Sequence, residues 1–359
     1  MSKRTVIIVG ILAALVAVAI ASPKIMLFLA GRTKTVNGSE ITFFIREEMN
    51  LQDLTSALKE KNIIDNEKAF LSVGEYKGLK KGKIAKGKYV ILSQKKYSDL
   101  AEGFLMNEEG HGNAEVTVKV TISNCRDLFV MASEAEKCLM LDSAKLVQYM
   151  YNGKTLKKFG FTPEQLPSMF YPGTYELYFD TDEAGFVQFM ANQFNEFWNV
   201  ERKAKLKTMG LTSQSQLATL ASIVFSEQAV HPEEWPIIAG LYLNRLKKGM
   251  RLQSDPTFKF CWEEDQLEGV ERLLRKHREV ECPYNTYKVA GLPPGPICLT
   301  TQKVQDAVLN YAHVDYLFMC AKPDASLEHV FEVSDVKHME NATIYQRWLA
   351  KQLKKKNAK

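Results

Sequence analysis

The feature that most constrains this chain is an apolar stretch at residues 217–228 that carries a single carboxylate, Glu227. Leu220, Ile223 and Val224 precede Glu227 at helical spacing, which predicts a helix with these side chains on one face. Burial on an apolar face raises the pKa of a carboxylate, as a general acid near neutral pH requires. The helix alone favours a simpler interpretation, in which Glu227 lies at the rim of the core and reaches water or pairs with an arginine.

The composition is that of a folded protein rather than a nucleic-acid-binding chain. Its 359 residues are enough for two domains, and contents of 46% hydrophobic and 25% charged residues predict a buried core. The net charge of +5 comes largely from lysines near the C-terminus, which predicts a solvated tail. Zinc-finger, helix-turn-helix and RNA-binding signatures are absent from the sequence, so nucleic acid is not an expected partner.

The cysteines and histidines predict no cofactor. None of the six cysteines forms a Cys-x-x-Cys pair or has a histidine at zinc spacing, the six histidines are dispersed, and no phosphate-binding glycine loop is present. We therefore expect neither a metal nor a nucleotide. Inside the cell, the six cysteines are expected to be scattered small core residues. Outside the cell, Cys125–Cys138 and Cys261–Cys282 become candidate disulfides, and the sequence leaves the pairing open.

Two apolar runs, at residues 6–21 and 25–30, lie near the N-terminus. One interpretation is a cleaved signal peptide ending at Ala19-Ile20-Ala21. The other is an uncleaved transmembrane anchor at residues 5–30 behind a cytoplasmic tail at residues 1–4, which is long enough for a bilayer core of ~30 Å. We favour the anchor, because the apolar character resumes after the candidate cleavage site. The rest of the chain is then expected outside the cytoplasm.

The remaining pattern predicts an α+β fold. Residues 35–113 read as a small module, ending in a polar, glycine-rich linker at residues 106–113. A larger mixed α/β domain is predicted over residues 114–359, with its core at residues 165–350. The elements predicted from periodicity are strands at residues 41–45, 89–92, 116–122 and 170–178, and helices at residues 51–58, from residue 97, and at residues 125–135, 143–151, 186–207 and 233–248.

Polar planar side chains and tyrosines cluster after Glu227, at residues 249–257 and 284–287, and a proline-fixed loop follows at residues 290–297. Asn, Gln and Asp can read sugar hydroxyls and acetamido groups, while aromatic faces can stack on pyranose rings. Each segment alone is explained by ordinary turn chemistry.

Taken together and in order, five segments resemble one family, the endolytic murein transglycosylase or YceG-like family. They are Ala221–Glu227, Leu243–Leu246, Gly249–Thr257, Tyr284–Tyr287 and Gly291–Ile297. The resemblance covers most of the chain from about Tyr171 onward. It implies that residues 35–113 are a LysM-like module, that the N-terminal helix is an inner-membrane anchor, and that residues 114–359 are a periplasmic catalytic domain.

The chain departs from the family pattern next to the expected catalytic residue. The family carries Glu-x-Glu where this chain has Phe225-Ser226-Glu227. Two helical residues two apart point about 200° apart, so only one of the two can face the substrate. The resemblance places catalysis on the second glutamate, Glu227. The candidates for substrate contacts or for orienting Glu227 are Asn244, Gln253, Asp255, Tyr284, Asn285 and Tyr287. The family's late histidine segment is only loosely echoed by His329 and His338.

The resemblance implies cleavage of the glycosidic bond after N-acetylmuramic acid in nascent peptidoglycan, leaving a 1,6-anhydro end. The implied partners are peptidoglycan glycan strands, the membrane through a single N-terminal helix, and cell-wall synthases. Two alternatives remain at this point. One is a glycoside hydrolase that uses Glu227 with Asp255 as the second carboxylate, and the other is a non-catalytic peptidoglycan-binding scaffold.

Overall fold

Helices supply most of the structure, and the strands pair in small two-stranded sheets. The computed structural model describes residues 22–262 and 275–357. Within these residues the sheets are β1–β2, β3–β4 and β5–β6, which confirms the predicted α+β class.

The described chain divides into two units. The first comprises residues up to Val120, together with Cys138–Leu141 and Tyr175–Asp182. The second comprises Thr121–Lys137, Asp142–Thr174 and the chain from Glu183 onward. The prediction placed one boundary at residue 113 and did not assign the two later segments to the first unit. The LysM-like character of the first unit stays a prediction.

The first unit contains helix α1, which overlaps the predicted anchor, four elements that match the predicted pattern, and one that the pattern missed. Its elements are helix α1 (residues 22–32), β1 (Ile41–Ile45), α2 (Leu51–Glu60), α3 (Glu67–Lys77), β2 (Gly87–Ile91) and α4 (Tyr97–Phe104). Strand β1 pairs antiparallel with β2, with Phe43 opposite Tyr89. The unpredicted helix is α3, which Asn66 caps by accepting a hydrogen bond from the Ala69 N–H.

The segment at residues 106–113, predicted as a linker, is a closed turn. Asn107 Oδ1 accepts hydrogen bonds from the N–H groups of Glu109 and His111, and the Asn107 N–H donates to the His111 carbonyl at 2.8 Å. The short asparagine side chain bonds its own backbone here, which is why a polar, glycine-rich sequence adopts one conformation. The ring of His111 stacks on Tyr178, with centroids 3.8 Å apart.

The second unit is mostly helical. Its elements include α5 (Leu128–Glu136), α6 (Ser143–Met150), α7 (Gly153–Phe159), α8 (Glu183–Phe197), α9 (Val200–Thr208), α10 (Gln214–Glu227), α11 (Trp235–Lys247), α12 (Asp255–Lys259), α13 (Gln302–Leu309), β5 (Phe318–Ala321), β6 (His329–Glu332) and α14 (Asp335–Asn357). Strands β3 (Thr117–Ile122) and β4 (Gly173–Tyr178) run from one unit into the other.

The long helix predicted at residues 186–207 is wrong in one respect, because the structure breaks it into α8 and α9. Asn199 has an extended backbone and its side chain accepts a hydrogen bond from the Arg202 N–H at 2.9 Å. This is an N-cap, which starts a new helix. The apolar periodicity continues across the break and therefore hid it.

Helix α10 is the centre of the second unit. Ser213 caps its N-terminus, and the residues from Leu217 to Val224 are all buried. The helix packs against α11, α12 and α13. The helix predicted at residues 217–228 is therefore confirmed, and burial on every side places its residues 217–224 inside the core.

Most of the predicted anchor at residues 5–30 lies outside the described residues, which begin at residue 22. Of the helices formed by residues 22–262 and 275–357, none combines the length and the apolar character needed to cross a bilayer.

One of the two candidate disulfides is formed. Cys261 and Cys282 are bonded, with Cα atoms 6.0 Å apart. Cys125 and Cys138 are free thiols in this structure.

Gly240 allows α11 to approach the segment that follows α13. A Cβ atom at Gly240 would lie 2.3 Å from the Ala312 carbonyl oxygen, and the Ala312 N–H donates to the Pro236 carbonyl at 2.9 Å. We expect Gly240→Ala to lower the free energy of unfolding by about 1–3 kcal/mol, as overpacking a well-packed core does. Urea unfolding measures this. Gly153→Ala is the matched control, because a Cβ there meets no atom within 4 Å. Equal stability of the two variants would contradict the prediction.

Candidate functional site

The carboxylate of Glu227 is held by two hydroxyl groups. Glu227 is the last residue of α10, because Gln228 leaves the helix with an extended backbone at φ −140°. The Tyr242 hydroxyl donates to Glu227 Oε1 at 2.7 Å, and the Ser254 hydroxyl donates to the same oxygen. The side chain is half-buried. Three different elements therefore converge on one carboxylate.

The pKa of Glu227 is raised above its ordinary value. Burial is the largest cause, because it disfavours the charged form, and the nearby charge of Asp255 acts in the same direction. The hydrogen bonds from Ser254 and Tyr242, and the charge of His329, lower the pKa and offset part of the shift. The group is thus moved toward the protonated form while keeping partners that stabilise its anion.

Tyr242 is a permanent donor. It is buried in the middle of α11, and burial together with the Glu227 charge raises its pKa well above the usual range. The phenol therefore keeps its proton across the working pH range. Its position follows from the packing of α11 against α10.

The loop at residues 251–257 places the Ser254 hydroxyl. Gln253 adopts the left-handed region at φ 51°, and the Ser254 N–H donates to Thr286 Oγ1 at 3.0 Å. Ser254 occupies the N-cap position of α12, but its hydroxyl makes no capping hydrogen bond. The hydroxyl that would ordinarily cap the helix is directed to Glu227 instead.

Two residues of the Leu243–Leu246 segment brace the surroundings of the site: Arg245 bonds this loop, and Asn244 bonds the chain before β5. The buried Arg245 guanidinium donates to the carbonyls of Leu317 at 2.6 Å and Leu252 at 2.8 Å. The Asn244 amide donates to the carbonyls of Val314 and Tyr316 at 2.6 and 3.1 Å. Asn244, a sequence candidate for substrate contact, thus ties α11 to the chain that leads into β5.

Asp255 lies beside Glu227 and has its own set of partners. The Tyr287 hydroxyl donates to Asp255 Oδ1, and the Arg278 guanidinium lies 3.1 Å from the same oxygen and 3.3 Å from Oδ2. Burial and the bond to Asp255 raise the pKa of Tyr287. The predicted residues Asp255 and Tyr287 are therefore brought together, and Arg278 completes the group.

The other three candidates from the sequence mainly organise the loops. Asn285 is fully buried, and its amide donates to the carbonyls of Arg278 and Val280 at 2.8 Å each. The side chain of Gln253 accepts from Arg245 at 3.3 Å. The Tyr284 ring packs on Phe260 with centroids 4.7 Å apart. Substrate contacts by these residues stay predictions.

A second buried network fixes the end of α10. The Gln228 amide donates to Glu234 Oε2 at 2.8 Å, and His329 Nδ1 lies 2.7 Å from the same oxygen. The Trp235 indole donates to the Gln228 carbonyl at 2.6 Å. Burial opposes the charge of Glu234, but the bonds from His329 and Gln228 hold its pKa below the usual value. His329, to which the sequence assigned no role, thereby lies near Glu227.

Phe225 occupies the position where the family carries its first glutamate. Its ring packs on Trp235 with centroids 6.3 Å apart. Ser226 is exposed, and its hydroxyl lies 3.6 Å from the Cys298 sulfur. The first position of the Phe225-Ser226-Glu227 segment thus contributes packing, and only the third contributes a carboxylate.

The sequence missed Tyr242 and Ser254 as partners of Glu227. Tyr242 stands among apolar residues of α11 and reads as core, and Ser254 before Asp255-Pro256 reads as a helix cap. One sequence signal could have indicated Tyr242 as a partner: this tyrosine lies two turns after Trp235 on the buried face of α11. The His/Cys/Asp/Glu groups at metal-binding separations in the described residues do not include Glu227.

Known proteins resemble this chain over most of its length. The YceG-like family matches residues 43–344. A Bacillus subtilis strain 168 protein named endolytic murein transglycosylase is 27% identical over 285 residues, which are 76% of each chain. A Streptococcus pneumoniae protein of the same name is 31% identical over 117 residues, which are 32% of this chain and 21% of that protein.

The fold also matches a solved structure. A crystal structure of a yceG-like protein from Listeria monocytogenes covers 85% of this chain and 99% of its own, with a TM-score of 0.53 and 23% identity. The resemblance found in the sequence is confirmed by these matches. The chain belongs to the YceG-like family.

Proposed function

We propose that this protein is a peptidoglycan lytic transglycosylase in which Glu227 acts first as an acid and then as a base. The observation that carries the proposal is a half-buried carboxylate with a raised pKa that two hydroxyl donors hold in place. The relatives named endolytic murein transglycosylase support the substrate class.

In the first step, protonated Glu227 donates its proton to the oxygen of the glycosidic bond after N-acetylmuramic acid. The C1–O bond breaks, and the leaving sugar takes the proton. The resulting Glu227 anion is stabilised by the donated hydrogen bonds of Tyr242 and Ser254, which are stronger to a charged acceptor than to a neutral one.

In the second step, the Glu227 carboxylate takes the proton of the muramyl 6-hydroxyl, whose oxygen attacks C1 and closes the 1,6-anhydro ring. Glu227 regains its proton, and no water is consumed. A single carboxylate is sufficient, because the nucleophile belongs to the substrate and no second carboxylate has to activate water.

The partners of Asp255 favour this mechanism over hydrolysis with two carboxylates. Both oxygens of Asp255 contact Arg278, and one also accepts from Tyr287. A carboxylate occupied in this way is suited to electrostatic support of a developing positive charge at C1. A general base must accept a hydrogen bond from the attacking water, and both oxygens of Asp255 already contact Arg278 or Tyr287.

Endolytic action on nascent strands, the anchor at residues 5–30 with a single pass through the inner membrane, and cooperation with cell-wall synthases are part of the same proposal. The apolar N-terminal sequence supports the anchor. Tethering would keep the catalytic domain near newly made glycan outside the cytoplasm.

Replacement of Glu227 tests the proposal directly. We expect Glu227→Gln to lower glycan cleavage by at least about 10²- to 10⁴-fold, the usual contribution of a general acid–base group, and to leave glycan binding intact. Release of muropeptides from purified sacculi, analysed by mass, measures this. Wild type should release ends lighter by one water than reducing ends.

Glu201→Gln is the matched control, because Glu201 is an exposed glutamate on α9. It should cleave as wild type does. Reducing ends as the only product would instead show a hydrolase, and full cleavage by Glu227→Gln would remove Glu227 from the mechanism. Absence of cleavage by wild type, with binding intact, would show a scaffold.

The pH profile should shift in opposite directions when the two neighbours of Glu227 are changed. The Tyr242 hydrogen bond lowers the pKa of Glu227, and the Asp255 charge raises it. Tyr242→Phe should therefore move the alkaline limb of kcat/KM to higher pH, and Asp255→Asn should move it to lower pH. The exposed Tyr76 supplies the control Tyr76→Phe. Shifts in the same direction, or none, would contradict the assignment of Glu227 as the acid.

The same carboxylate should make stability fall as pH rises. The pKa of Glu227 is higher in the folded protein than in the unfolded chain, so the unfolded chain loses its proton first. Wild type then loses about 1.4 kcal/mol per unit of pKa difference as pH rises from the ordinary glutamate range through the folded pKa. Glu227→Gln lacks this loss. Urea unfolding at several pH values should show the stability of Glu227→Gln relative to wild type growing with pH, and a constant difference would contradict the raised pKa.

A further inference from the structure

Three side chains of the first unit that can bind a metal lie close together. His111 Nδ1 lies 3.3 Å from Glu115 Oε2 and 3.5 Å from Asp180 Oδ1. Each of the three residues offers one donor atom, and these atoms lie within 4.8 Å of one another. Two charged carboxylates this close repel each other, so either a cation lies between them or one of them holds a proton.

The chain builds this cluster with specific local structure. His111 is held by the turn that Asn107 closes and by stacking on Tyr178, two residues before Asp180. The Glu115 carboxylate lies against the backbone of Gly87, where a Cβ would come within 2.3 Å of it. Gly87 has φ 138°, a backbone conformation that only glycine adopts readily. The absence of a side chain at position 87 leaves room for the Glu115 carboxylate.

Three polar atoms at the cluster are buried and make no hydrogen bond. His111 Nδ1, Glu115 Oε1 and Asp180 Oδ1 have no hydrogen-bond partner within the described part of the chain. The Glu115 side chain is wholly buried, and its other oxygen accepts from the Gly112 N–H at 3.3 Å. Buried polar atoms are almost always paired, so three adjacent exceptions indicate a missing common partner.

The separations fit a metal ion. Zinc binds histidine nitrogen and carboxylate oxygen at about 2.0–2.2 Å in tetrahedral geometry, which puts neighbouring donor atoms about 3.3–3.6 Å apart. Both distances from His111 Nδ1 agree with this. Histidine nitrogen and carboxylate oxygen are both ligand atoms that zinc binds, and imidazole favours divalent transition metals over magnesium and calcium.

We propose that His111, Glu115 and Asp180 form a three-ligand site for a divalent transition-metal ion, zinc first among them. The ion joins the turn at residues 107–115 to the end of β4, two segments that are far apart in sequence. It neutralises two adjacent buried carboxylates. All three ligands belong to the first unit, whereas Glu227 belongs to the second, so the site is a structural element beyond the proposed reaction.

Titration of the metal-free full-length protein with Zn²⁺ tests the site. We expect isothermal titration calorimetry to show one equivalent of Zn²⁺ at the buried site and thermal unfolding to move to higher temperature. Glu115→Gln and Asp180→Asn should each abolish binding of that equivalent. The loss of zinc affinity should exceed the about 10- to 100-fold loss that follows substitution of a residue hydrogen-bonded to a metal ligand. Both variants remove a buried charge at nearly constant shape, so they should fold, and circular dichroism of the metal-free proteins verifies this.

Glu233→Gln is the matched control, because His231, Glu233 and Glu328 form a second group at metal-binding separations in which Glu233 is exposed. It should retain the buried equivalent and the thermal shift. Absence of a zinc-dependent shift in wild type would overturn the proposal and leave His111 as an ordinary ion-pair partner of the two carboxylates. Unchanged binding by both Glu115→Gln and Asp180→Asn would overturn it as well.

Discussion

The hydrogen-bonded carboxylate at the end of α10 is the interaction on which the candidate site depends. An apolar helix carries Glu227 to the rim of a core, where burial would leave it neutral and without a partner. The hydroxyls of Tyr242 and Ser254 supply that partner. The surrounding structure holds those two hydroxyls in place. Helix α11 carries the Tyr242 hydroxyl, and Arg245 and Thr286 fix the loop that carries the Ser254 hydroxyl.

Two opposing influences act on Glu227, and the proposed reaction needs both. Burial and Asp255 favour the protonated acid that starts the reaction, while the two hydroxyls and His329 favour the carboxylate that must finish it. A site with burial alone would hold an acid too weak to release its proton. A site with hydrogen bonds alone would hold a carboxylate with no proton to give. The balance lets one side chain serve in both steps. One side chain has to do so, because the Phe225-Ser226-Glu227 segment contains a single carboxylate.

The sequence predicted what periodicity and local chemistry encode. The helix at residues 217–228, the strand at residues 41–45 and the family membership follow from side-chain spacing and from ordered motifs. The break at Asn199 was missed, because a single capping residue interrupts a continuous apolar pattern. Helix α3 was missed, because it buries only Phe70, Val73 and Gly74 and its pattern is weak. Tyr242 and Ser254 could not be found from spacing, since their partnership with Glu227 exists only after α10, α11 and the 251–257 loop have packed together. The same holds for Asp180, which is remote in sequence from His111 and Glu115.

The central claim is that the attacking group is the substrate's own hydroxyl and that Glu227 manages its proton. Digestion of purified sacculi in heavy-oxygen water, followed by mass analysis of the released muropeptides, tests this most directly. The expected products are anhydro ends that contain no heavy oxygen, formed by wild type and not by Glu227→Gln. New reducing ends that carry heavy oxygen at C1 would show that water is the nucleophile and would contradict it.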